Sequence, residues 1–155
     1  MHNGQVGDYA RIKRRIEALI PDELYDHRLG TGDTEVLFLA ALADGLEQDP
    51  LGAMARTLGR VLAMMRAAGI RQPLRFAAAH SDGETLTCYR WSSDSKPPSL
   101  YFRSDASSVM VVSEPVDRDG AGWRMIPPNQ ALRATNGGRV EVVPFDVQLA
   151  EQTTA

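Results

Sequence analysis

The residues able to do chemistry fall in a few short polar stretches. His2-Asn3-Gly4 follows Met1 directly, and Asn-Gly is in the first place a tight-turn dipeptide that becomes a catalytic element only in company. Company comes from Gly30-Thr31-Gly32-Asp33-Thr34-Glu35, which sets Asp33 at the start of an apolar helix, where a ligand's ammonium or a cap would be placed. The plainer alternative has Thr31 capping that helix while Asp33 and Glu35 complement its dipole. Cys88 lies inside an alternating strand pattern and reads as an ordinary buried cysteine. As the single cysteine it excludes an internal disulfide and any C-x-x-C metal site, and His2, His27 and His80 are too widely spaced for a ligand set. No metal and no cofactor are expected. Tyr89, Trp91 and Tyr101 could stack a ligand, but strand alternation assigns them to sheet packing.

Three helices and a run of strands must position these groups. Asp8 is read as the N-cap of a first helix with Ile12, Ile16, Leu19 and Ile20 on one face and Lys13-Arg14-Arg15 in solvent, stopped by Pro21. Residues 24–32 read as a loop. Thr31 then caps a second helix with an apolar body over residues 36–46, apolar on most sides and therefore central. Asp49-Pro50 opens a third, in which Leu51, Met54, Leu58, Val61, Leu62 and Met65 recur at helical spacing until Gly69. Beyond Gly69 the period turns alternating, and strands are expected at 74–80, 84–91, 99–103, 109–113, 123–126 and 139–145. Asp82-Gly83 and Asn136-Gly137-Gly138 signal hairpins, a flexible loop covers 117–122, and Pro127-Pro128 bends the chain. Helices followed by strands argue for an α+β domain with a mostly antiparallel sheet.

A chain of 155 residues, 43% hydrophobic, builds one core. Its net charge of −3 supplies no basic field, so no nucleic acid is expected as a partner. No apolar run is long enough for a membrane span, and the first residues show neither a basic nor an apolar leader pattern, so a cytoplasmic protein with no membrane partner is expected. A glycine-bearing polar tripeptide with no leading element to pack it makes the start read as internal.

Taken together, His2-Asn3-Gly4-Gln5, Gly30 through Glu35, Ser81-Asp82-Gly83, Tyr89 with Ser92-Ser93-Asp94, Ser113-Glu114-Pro115, and Trp123 with Pro127-Pro128 resemble the class II glutamine amidotransferases. The likeness is to the small bacterial branch that includes the γ-glutamyl hydrolase of the ergothioneine pathway, and it runs to about Phe145. It implies an αββα N-terminal-nucleophile hydrolase sandwich, of which residues 1–147 would be the C-terminal part and 148–155 a disordered tail. It further implies an N-terminal cysteine that attacks the side-chain amide of glutamine or a γ-glutamyl compound, releasing ammonia or an amine. Asn3 and Gly4 match the oxyanion hole, Asp33 matches the acidic residue that binds the substrate's α-ammonium, and His2 stands in the substrate site as a positioning residue. Gly32 departs from the threonine usual before that acidic residue, which alters the backbone geometry but not the charge.

The nucleophile of the resembled family lies N-terminal to the His-Asn-Gly element, and Cys88 cannot replace it. The expectation is a chain inactive by itself, whose apolar face is covered by a missing N-terminal half or by a second copy. The alternative is a truncated, non-catalytic remnant or a binding half.

Overall fold

The computed structural model describes residues 1–115, 122–135 and 138–150. Its elements run β1 (His2–Val6), α1 (Tyr9–Glu17), α2 (Asp22–Tyr25), α3 (Asp33–Ala43), α4 (Pro50–Ala67), β2 (Leu74–Ser81), β3 (Thr85–Ser92), β4 (Tyr101–Ser104), β5 (Val109–Val112), β6 (Arg124–Met125), β7 (Gln130–Thr135) and β8 (Arg139–Pro144). They form two compact units. One holds Met1–Gly4 with Leu74–Asp146, the other Gln5–Pro73 with the C-terminal residues.

In the helical unit α3 packs on α1, α2 and α4, as its apolar surface requires: Val36, Leu37, Leu39, Ala40 and Ala41 are all buried. The helix ends where Gly45 takes φ +88, a conformation that costs glycine nothing. On α1, Ile12 and Ile16 are buried, while Arg14 and Arg15 face water. Helix α4 starts as its sequence prescribes, with Pro50 at the first position and Asp49 accepting from the Gly52 N–H at 3.0 Å, and Met54, Leu58, Val61 and Met65 buried. The chain beyond Val147 returns past Gly59, where the Ala150 N–H donates to the Gly59 carbonyl. A Cβ on Gly59 would lie 2.2 Å from the Gln148 carbonyl oxygen, so only glycine admits this crossing. Residues 151–155, the rest of the expected tail, lie outside the described residues.

Two of the expected caps are corrected. Asp8 sits in the left-handed region at φ 48 and makes no side-chain cap; its carboxylate pairs with Arg11 at 3.2 Å. The residue before α3 is Gly32, not Thr31, and no side chain caps that helix. The expected loop at 24–32 also contains the end of the short helix α2, which starts after Pro21 with Asp22 and Glu23 in its first turn.

The strand unit has a five-stranded sheet ordered β1-β2-β3-β7-β8 and a three-stranded sheet ordered β5-β4-β6. The pairings β2/β3, β3/β7, β7/β8, β4/β5 and β4/β6 are all antiparallel, as the order of helices followed by strands predicts. Ala77 of β2, Cys88 of β3, Leu132 and Ala134 of β7 meet Leu100, Phe102 and Ile126 from the region of the smaller sheet in one apolar cluster. Asp82 Oδ1 accepts from the Glu84 and Thr85 N–H groups, and Gly83 takes φ +96, which makes the expected hairpin. Two strands escape the sequence pattern: β1, which contains His2-Asn3-Gly4, and β7. The loop expected at 117–122 lies outside the described residues except for Gly122, as do Asn136 and Gly137 of the second hairpin signal. Among the described residues no helix is long and apolar enough to cross a membrane.

Two carboxylates fasten loops of the strand unit and set an acid limit to its stability. Arg75 holds Asp94, at 2.7 Å, to a pKa of about 2, and the N–H and hydroxyl groups of Ser107 and Ser108 do the same for Asp105. Both values lie below the ordinary 3.8, so the unfolded chain binds more protons as pH falls toward 2. Their contribution is complete above about pH 4 and drains away between there and pH 2. Melting curves recorded across that range should show falling stability, and Asp94→Asn should flatten part of the slope; an unchanged slope would refute the assignment.

Candidate functional site

Strand β1 lies beside β2 at the edge of the larger sheet. Its start is fixed by a reciprocal exchange: the Met1 ammonium donates to the Ala79 carbonyl, and the Ala79 N–H to the Met1 carbonyl, each at 2.9 Å. Asn3-Gly4 is therefore strand and not turn. Alternation along the strand sends the side chains of His2 and Asn3 to opposite faces. The His2 ring packs on Phe76 at 5.0 Å, Phe76 on Tyr89 at 6.0 Å, and Tyr89 on His80 and Phe145, whereas Asn3 is exposed. Burial pushes the His80 imidazole below its ordinary value and keeps it a neutral member of this aromatic row.

Gly4 is held more tightly than its exposure suggests. A Cβ there would meet the Arg75 carbonyl oxygen at 2.1 Å and His2 Nε2 at 2.9 Å. Only a residue without a side chain lets this backbone run so close to β2. A carboxamide at Asn3 and a main-chain N–H at Gly4 thus stand in succession on a strand whose register is pinned, and both are neutral donors of the kind that can stabilise an oxyanion.

In the helical unit the Val6 N–H donates to Asp33 Oδ2 at 3.0 Å. Asp33 is half-buried, and among the described residues nothing donates to its Oδ1. One oxygen fixes the carboxylate, and the other remains able to accept from a cation. The turn ahead of Asp33 is tied by side chains that the sequence pattern did not single out for this work. Glu35 accepts from the Leu29 N–H at 3.0 Å and the Gly30 N–H at 2.6 Å, bonds that hold its carboxyl below the ordinary range. Tyr9 Oη donates to the Gly32 carbonyl at 3.3 Å, and burial raises the Tyr9 pKa so that its proton stays on. Arg28, just before that turn in the chain, makes an ion pair with Glu17 of α1 at 2.6 Å. Val6 and Tyr9 stand 27 and 23 residues from their partners, beyond the reach of any local pattern.

Cys88 is fully buried in the apolar cluster, and burial pushes its thiol up to about 12. At neutral pH it is neither ionised nor accessible, as its strand position led us to expect. Among the described residues no group of three or more His, Cys, Asp and Glu side chains could hold a metal ion.

The fold has a counterpart among solved structures. The solved structure of a glutamine aminotransferase class-II domain protein from Silicibacter pomeroyi is 41% identical to this chain and superposes with a TM-score of 0.87, covering 97% of this chain and 67% of that one. The chain belongs to the class II glutamine amidotransferase family. No family model matches the sequence, and no curated protein matches it. Membership in this class II family agrees with the resemblance carried by His2-Asn3-Gly4 and Gly30 through Glu35.

Proposed function

We propose that this class II domain captures glutamine or a γ-glutamyl compound for cysteine-dependent acyl transfer. Asp33 binds the substrate's α-ammonium, and the Asn3 carboxamide with the Gly4 N–H stabilises the oxyanion that forms on the side-chain carbonyl. Asp33 carries the reading: a carboxylate fixed through one oxygen, with the other open to a cation, is what capture of an ammonium needs. His2, packed on Phe76, acts by bracing the strand that holds Asn3 and Gly4.

The acylating thiol comes from polypeptide outside these 155 residues, because the single cysteine is buried in the core with its proton held. That thiolate forms a bond to the amide carbon, the C–N bond breaks, and ammonia or an amine leaves with a proton from the cysteine's own α-ammonium. Water then hydrolyses the thioester and returns the thiol. The isolated chain binds substrate but does not turn it over. The finer reading places it in the branch that resembles the ergothioneine-pathway γ-glutamyl hydrolase, as part of a cytoplasmic αββα domain.

Asp33→Asn tests the reading. It removes the charge that pairs with the ammonium, an interaction worth about 1.5–3 kcal/mol, and L-glutamine binding measured by NMR titration should weaken tenfold or more. Were Asp33 only a complement to the helix dipole, the substitution would leave binding unchanged and cost stability of about 0.3–1 kcal/mol.

A further inference from the structure

Asp33 occupies the first position of α3, where the backbone has no preceding helical turn to hold it, so the orientation of its carboxylate depends on what fixes the residues just before. No side chain caps this helix at Gly32. Instead, Glu35 reaches back past the helix start and accepts from both Leu29 and Gly30. These bonds fasten residues 29–32 to the first turn of α3, while Tyr9 holds the Gly32 carbonyl from α1. Gly30 accommodates the arrangement, since even a Cβ there would come within 3.1 Å of Glu35 Oε2. A glutamate that only complemented the dipole would need no such geometry.

We infer that Glu35 is a positioning residue for ammonium capture: by fastening the turn at Leu29 and Gly30 it holds Asp33 with Oδ2 on the Val6 N–H and Oδ1 turned to the ligand. The inference rests on the assignment of Asp33 to the α-ammonium, and the two can fail separately. Glu35 does not touch the ligand. Its removal loosens the first turn of α3, the Asp33 carboxylate loses its fixed orientation, and selectivity for a substrate bearing an ammonium is lost.

The test uses the full 155-residue chain and two ligands, L-glutamine and glutaramate, which is glutamine without the α-amino group. NMR titration of the wild-type chain should show a preference for L-glutamine of about tenfold, the effect of one charge-assisted pair. Glu35→Ala should reduce that preference to about twofold or less, and Glu35→Gln, which keeps one acceptor oxygen but turns an NH2 toward the other N–H, should restore only part of it. Hydrogen exchange of the Val6 amide reports the position of Asp33 directly: Glu35→Ala should speed it more than tenfold while the amide of Leu58 in α4 keeps its rate. Retention of both the preference and the Val6 protection in Glu35→Ala would overturn the inference. A wild-type chain with no preference would overturn the assignment of Asp33, and this inference with it.

Discussion

Gly4→Ala should lower the stability of the chain by about 1–3 kcal/mol and, once a cysteine-bearing segment is supplied, cut glutamine turnover about a hundredfold. The new methyl group would stand 2.1 Å from the Arg75 carbonyl oxygen, a backbone atom that cannot swing aside as a side-chain tip could. Either β1 moves away from β2 or the sheet edge distorts. A displacement of about 1 Å at a donor aimed at the transition state is enough for a loss of that size. Urea unfolding of the chain reads the first effect and a glutaminase assay of the complemented protein reads the second. Wild-type behaviour in both would remove Gly4 from the site.

A second large effect is expected at a buried cation. Arg90 is 7% exposed on β3, and its guanidinium donates to three carbonyl oxygens: Pro98 at 2.8 Å, Ile126 at 2.7 Å and Pro97 at 3.4 Å. These bonds gather the irregular Pro97-Pro98 segment and Ile126, the residue after β6, onto β3. Lysine keeps a positive charge but not the planar fork, so at least one carbonyl is left without its donor in a buried setting. Arg90→Lys should therefore destabilise the chain by about 3 kcal/mol, more than almost any surface change. A shift below about 1 kcal/mol in denaturant titrations would show that water replaces the fork.

Much of this architecture is legible in the residues, and the omissions have physical reasons. Helices α1, α3 and α4 announce themselves because Ile12 and Ile16, the apolar run after Asp33, and Leu58, Val61 and Met65 recur at helical spacing and are buried. Strands β2 and β3 are legible from apolar and aromatic residues such as Leu74, Phe76, Cys88, Tyr89 and Trp91, although their burial does not alternate. Strand β1 is not legible, since of its five residues only Val6 is buried, and its hydrogen bonds to β2 come from residues more than seventy positions away. Strand β7 hides for another reason: Ala131 and Ala134 are too small to mark a strand, although both lie in the sheet interior. Asp49 is a correct cap and Asp8 an incorrect one because Pro50 pre-sets the helical backbone after the first, whereas Asp8 is turned left-handed and spends its carboxylate on Arg11.

The candidate site is legible to the same degree. Asp33 stands out as an acid at a helix start, and Cys88 as a buried thiol. The roles of Val6, Tyr9 and Glu35 around Asp33 depend on which backbone groups the fold brings to them, and no spacing in the sequence encodes that.

The central claim is that this chain holds the glutamine-binding and oxyanion groups of a class II amidotransferase while the thiol comes from elsewhere. A glutaminase assay with purified protein tests it most directly. The chain alone should release no ammonia from glutamine. Addition of a cysteine-bearing N-terminal half should restore turnover, Cys88→Ala should leave the restored rate unchanged, and Asn3→Ala should lower it by about 10²–10³. Ammonia release by the 155-residue chain on its own would contradict the account.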